Sequence, residues 1–167
     1  GFFEGGVARV ESGRIDRLFD TAAGLGHGTV TALQFDQTGA LWASTQGGLS
    51  RLADGRVATL TTRNGLPCDA VHWAMDDEMG SLWTYTACGL VRIDRAEINA
   101  WVRDPTHVVM RTVYDDVDGV PAYLDLGSYG PKVTRAADGR IWFTTYDGAA
   151  VFDPAQVPFN TMPPPVS

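Results

Sequence analysis

The sequence predicts an all-β protein of short antiparallel strands. Three observations carry this reading: the glycine and proline content, an internal repeat of 41 residues, and apolar alternation inside each repeat. The 167 residues include 19 glycines and nine prolines, against about 12 such residues per hundred in ordinary proteins. Long helices do not survive that punctuation. With 44% apolar and 20% charged residues, the chain has the composition of a folded globular protein.

The repeat sets the architecture. Thr38-Gly39-Ala40-Leu41-Trp42 and the run to Leu52 recur as Met79-Gly80-Ser81-Leu82-Trp83 and the run to Ile93, then as Asp138-Gly139-Arg140-Ile141-Trp142 to Phe152. Trp42 and Trp83 are 41 residues apart, as are Gly48 and Gly89. A period near 40 with a repeated glycine, tryptophan and alternating strands is the mark of a β-propeller blade.

Taken in order, residues 1–19 supply the last strands of one blade. Val30–Phe35 begins the next, turns at Asp36-Gln37-Thr38-Gly39 and returns through Leu41–Thr45. Leu49–Leu52 follows, and the Asp54-Gly55 hairpin leads to a fourth strand at Val57–Leu60. Arg63-Asn64-Gly65-Leu66-Pro67 leads into a third blade. There Asp94 is placed as an N-cap, with Glu97 three residues on and Ile98, Trp101 and Val102 on one face. A short helical insertion ending at Asp104-Pro105 is expected. The last copy has three strands and stops at Asp153-Pro154. The division is therefore a partial propeller over 1–157, with blades at about 1–23, 24–64, 65–118 and 119–157, and a proline-rich exit at 158–167. About three and a half blades fall short of a closed ring. Further blades before Gly1, or a second copy of the chain, are expected to complete it, and the absence of an initial Met fits a piece of a longer protein.

Charge excludes several partners. Thirteen basic against 20 acidic residues give a net charge of -7, which disfavours nucleic acid and anionic membrane surfaces. A single lysine, Lys132, is present. No apolar run reaches the roughly 20 residues of a membrane span. No cofactor or metal motif stands out: Asp115-Asp116-Val117-Asp118-Gly119 clusters oxygens but lacks the spacing of a calcium loop and reads as an acidic turn. His27, His72 and His107 fall in different places with no nucleophile motif beside them, so no catalytic residue is assigned.

These residues resemble the two-component regulator propeller repeat, which reads Gly-Leu-Pro, an aspartate turn, Gly-x-Leu-Trp-x-x-Thr and Gly-Gly-Leu-x-Arg. Gly65-Leu66-Pro67, Asp77, Gly80, Leu82-Trp83, Thr86 and Gly89-Leu90-Val91-Arg92 match it. So do Gly24-Leu25, Asp36, Gly39, Leu41-Trp42, Thr45 and Gly47 to Arg51. Departures are Gly26-His27, Cys68 in place of Ser, and Val151 in place of the third-strand Arg. The resemblance implies a non-catalytic sensory module of a membrane receptor, periplasmic or otherwise extracytoplasmic, with a sugar or nutrient as ligand. A β-sandwich and an output such as a histidine kinase would follow it, without direct membrane contact by this segment. Two alternatives stand beside it: a streptogramin-lyase-like enzyme, suggested by Gly139-Arg140-Ile141-Trp142-Phe143-Thr144, and a scaffold for receptor dimerisation.

Two sets of residues follow. Trp42, Trp83, Trp142, Gly48, Gly89, Gly148, Arg51 and Arg92 recur and are read as structural, the tryptophans packing between blades. His27, Gln46, Asp69, His72, Tyr85, Asp125, Tyr129, Tyr146 and Asp147 do not recur and are placed on the loop face, where aromatics, amides and carboxylates suit a sugar. Pairing first and second strands about the Asp77–Gly80 turn sets position 68 opposite 88 or 89. Cys68 and Cys88 then lie within disulfide reach, and the implied compartment permits the bond. A bridge and two separate thiols both remain open at this point.

Overall fold

The computed structural model describes residues 1–120, 130–145 and 148–157. The chain is all-β, with several antiparallel sheets and one helix. Strands β1 (Val7–Glu11) and β2 (Arg14–Phe19) form a two-stranded ribbon. The next sheet has the order β3 (Val30–Phe35), β4 (Leu41–Thr45), β5 (Gly48–Ala53), β6 (Arg56–Leu60). A second four-stranded sheet runs β7 (Val71–Asp76), β8 (Ser81–Thr86), β9 (Gly89–Asp94), β10 (Arg111–Tyr114). The last has three strands, β11 (Val133–Arg135), β12 (Ile141–Thr145) and β13 (Gly148–Phe152). Neighbours in sequence are neighbours in each sheet, an arrangement consistent with propeller-like packing.

Before each of the last three sheets comes one short capped turn. The 3-10 turns Thr21–Ala23, Thr62–Asn64 and Asp116–Asp118 are capped by the side chains of Asp20, Thr61 and Asp115. Each ends at a glycine in the left-handed region, Gly24, Gly65 or Gly119, a conformation that costs other residues about 1 kcal/mol or more. The acidic run at 115–119 is thus a lead-in turn, with Asp118 accepting from the Asp115 N–H at 3.2 Å.

Apolar layers hold the sheets face to face. Trp42 is buried and stacks on Trp101 of α1 (Arg95–Arg103), with ring centroids 6.3 Å apart. Leu60, Leu66, Val71, Ile93 and Val109 fill the same layer. In the following layer Trp83 meets Phe152 at 4.7 Å, and Trp73 meets Phe143 at 5.4 Å. Burial of such side chains contributes roughly 1.5–3 kcal/mol each, which is why the tryptophans anchor the layers.

Trp142 departs from the expected packing. It occupies the register position of Trp42 and Trp83, opposite Val151 where they face Arg51 and Arg92. Yet it is 40% exposed, because no further sheet covers that face among the described residues. Gly148 differs for the same reason. A Cβ at Gly48 would meet the Leu60 carbonyl at 2.6 Å and one at Gly89 the Tyr114 carbonyl at 2.4 Å, whereas at Gly148 nothing lies within 4 Å. No fourth strand lies beside β13 among the described residues.

The helix lies between the third and fourth strands of its sheet and ends before Pro105. Two expectations for it are corrected. Asp94 holds the N-cap position but makes no capping bond, since its carboxylate accepts instead from the Ser81 hydroxyl at 3.3 Å. Val102 is 40% exposed, so only Ile98 and Trp101 form the buried face. Glu97 reaches forward, accepting from the Met110 N–H at 2.8 Å and contacting His107 Nε2 at 2.9 Å. Those two hydrogen bonds, the Met110 one first, hold its carboxyl below the usual range.

Candidate functional site

The loop end of the sheets is anchored by bonds that repeat. Thr45 donates its hydroxyl to the Gly48 carbonyl at 2.9 Å and accepts from the Gly47 N–H. Thr86 does the same with Gly89 and Cys88. The lead-in segment is tied down as well. Gly26 donates to the Ser50 hydroxyl at 2.9 Å, and Thr59 donates to the Gly24 carbonyl at 2.7 Å. Asp69 accepts from the Thr62 N–H at 2.7 Å, so its carboxylate pins the lead-in turn.

Cys68 and Cys88 are bonded, with Cα atoms 6.0 Å apart. The bond joins the lead-in segment to the β8–β9 turn of the same sheet. One repeat earlier these positions are His27 and Gly47, which touch closely through a backbone bond of 2.9 Å. The fold brings this pair of positions together in both sheets, and cysteine at both sites makes the contact covalent.

The candidate residues divide. His27 and Gln46 are exposed at the loop end, Gln46 lying close over Gly28. Asp69 is half-buried there. His72 and Tyr85, placed on the loop face by sequence, lie in the core instead: His72 is 4% exposed and Tyr85 is fully buried. The cause is a bulge in β7 between Val71 and Trp73. One extra residue there re-aims the side chain, and the imidazole packs edge-on against Tyr85 at 5.7 Å. The equivalent bulge in β3 turns Thr31 so that it donates to the Val71 carbonyl of the next sheet at 2.8 Å. Asp125, Tyr129, Tyr146 and Asp147 lie outside the described residues.

Sequence reasoning passed over a second feature. The first strands lie side by side, β3 against β7 and β7 against β11. They border an open cleft of about 480 Å³. Its wall carries Lys132, which is 4% exposed. Burial pulls that ammonium below its ordinary value. The available signal was the chain's lone lysine standing just before a first strand.

No protein-family model matches the chain, and no curated protein matches it. Among solved structures, it resembles the extracellular domain of BT4673 from B. thetaiotaomicron, described as a one-component system, with a TM-score of 0.54 and 17% identity. The match covers 78% of this chain and 18% of that one, so the chain spans less than a fifth of the length of the solved relative. What the two share at this identity is the fold.

Proposed function

We propose that the chain is an arc of a sensor β-propeller, about three and a half blades long, from the extracytoplasmic part of a signalling receptor. The observation that carries this is the repeated construction of the loop end. Capped lead-in turns and Thr-anchored β4–β5 and β8–β9 turns hold His27, Gln46 and Asp69 on rigid sheets, the usual way a scaffold presents a binding surface. The likeness in fold to an extracellular domain supports the same reading. In it the module is non-catalytic and takes a sugar or nutrient. Thermal-shift screening of the intact ectodomain against sugars and metabolites tests it. A reproducible rise with one chemical class supports sensing, and silence across the panel defeats it.

The arc is completed by more sheets of the same kind, in this chain or a second copy. Val10, Ile15 and Leu18 are each more than half exposed on the first ribbon, and Trp142 and Val151 are about 40% exposed on the last sheet. Faces of this composition mark contact surfaces. Native mass measurement discriminates: a strict monomer of the arc excludes ring closure by copies.

A further inference from the structure

The Cys68–Cys88 bond lies at the surface, not in the core. Cys88 is exposed on the β8–β9 turn, whereas Cys68 is half-buried in the lead-in segment. Exchange begins when a thiolate reaches one sulfur of a disulfide, so access decides which sulfur is attacked. Here that sulfur is Cys88. Opening the bond leaves a backbone tie in place, since the Ala87 N–H donates to the Ala70 carbonyl at 2.9 Å. One repeat earlier His27 and Gly47 are held at the same two positions by a backbone bond, with no disulfide. The sheet therefore does not need the covalent link to keep its shape. Cys88 also borders a hollow of about 240 Å³ together with Gly89, Asp115, Asp116 and Val117. Asp115 is exposed there, and its carboxylate accepts from the Val117 backbone N–H at 2.9 Å. Among the described residues no basic side chain lines the hollow, and the chain as a whole carries a net charge of -7. A thiolate whose tail is an ammonium is drawn to such a place, and one whose tail is a carboxylate is repelled.

We propose that the Cys68–Cys88 bond is a reversible thiol-exchange site, attacked at Cys88 and selective for small cationic aminothiols. The aminothiolate sulfur bonds to Cys88 Sγ, the Cys68–Cys88 bond breaks, and its electron pair leaves on Cys68 Sγ, which takes up a proton. The ammonium of the attached group then sits beside Asp115. Return attack by the Cys68 thiolate expels the aminothiol and restores the bond. A second aminothiol instead frees Cys88 as a thiol and departs as a disulfide, so the protein bond is reduced and the aminothiols are oxidised. Cysteamine, mercaptoethanol and mercaptoacetate are the probes, each reacted with the full chain without denaturant. Iodoacetamide caps the freed thiol, and peptide mass mapping locates both groups. The adduct is expected on Cys88 and the cap on Cys68. Each rate is divided by that of the same thiol on a neutral model disulfide, which removes differences in intrinsic nucleophilicity. On that scale cysteamine should react several-fold faster than mercaptoacetate, with mercaptoethanol between them. The gap should narrow in high salt and in Asp115→Asn, where asparagine still caps the turn but carries no charge. The salt series needs no variant, so it decides the matter even where Asp115→Asn does not fold. An adduct mainly on Cys68, equal scaled rates, a gap unmoved by salt or by Asp115→Asn, or exchange only in denaturant each overturns the proposal. The site does not rest on the sensing reading. A sugar response without exchange would leave sensing standing while this site falls, and exchange without any sugar or metabolite response would do the reverse.

Discussion

The indole N–H of Trp83 donates to the Asp77 carboxylate at 2.9 Å, and the relationship recurs 41 residues earlier between Trp42 and Asp36 at 3.0 Å. The other carboxylate oxygen caps the turn between them. In Asp77 it accepts from the N–H groups of Met79 and Ser81; in Asp36, from those of Thr38 and Ala40 and from the Thr38 hydroxyl. One aspartate thus closes the hairpin and also orients the tryptophan that the next sheet covers. The third copy has Ala136 at this place. Its turn still forms, through a backbone bond from Ala136 to Arg140 at 2.9 Å, but Trp142 has no such carboxylate and stands 40% exposed.

Asp77→Ala would therefore leave the Trp83 indole N–H in a fully buried site without its acceptor. An orphaned buried donor costs about 1–3 kcal/mol. Urea unfolding should show a loss in that range for Asp77→Ala and for Asp36→Ala, with Asp77→Asn between variant and wild type. A loss under about 0.5 kcal/mol for both alanine variants would mean that the bond is dispensable.

Glycine substitution separates paired from open strands. Gly48 and Gly89 have φ values of 133° and 117° and face the carbonyls of Leu60 and Tyr114 on the fourth strands. Gly48→Ala and Gly89→Ala should each destabilise by about 2 kcal/mol or more, through strain and collision together. Gly148→Ala should be nearly neutral in this chain, its Cβ position being open. Thermal melts of the three variants decide it, and a large loss at Gly148 would show that a strand pairs with β13.

The strand plan was readable because each β-strand carries its own local signals: alternation, the Asp-x-x-Gly turn, and the glycine that admits the fourth strand. The helix was readable from Ile98 and Trp101, but helical spacing alone does not say which residue of that face a neighbouring layer covers, and Val102 is left 40% exposed. His72 and Tyr85 were misplaced because a bulge shifts alternation by one residue without altering composition. Lys132 went unread for another reason. It lines a cleft bordered by first strands about 40 to 60 positions apart in sequence, a juxtaposition that no local pattern encodes.

The disulfide should stabilise by limiting the unfolded chain. It closes a loop with a sequence separation of 20, for which the entropic contribution is about 3 kcal/mol. Cys68→Ser with Cys88→Ser should lower the denaturation midpoint accordingly while the native spectrum stays the same. Reduction of the wild type should reproduce that shift. If neither treatment moves the midpoint, native strain cancels the gain.

Acid titration should expose two aspartates of opposite sign. Burial works to raise the Asp36 carboxyl, but the bonds from Thr38, Trp42 and Ala40 outweigh it and hold the group below its usual range. Its ionised form is then favoured by folding. That stability is present above the ordinary carboxylate value of about 4 and is lost as the pH falls through the depressed one. Asp76 is the reverse case. Burial raises it, and its ion pair with Arg95 only partly offsets this. The stability carried by its proton is present below about pH 4 and lost as the pH rises through the raised value. Stability measured from pH 3 to 7 should therefore fall less steeply toward acid in Asp36→Asn than in the wild type, from a lower plateau. In Asp76→Asn the variant should gain on the wild type as the pH rises. Parallel curves for the wild type and both variants would mean that neither carboxylate titrates differently in the folded and unfolded chains.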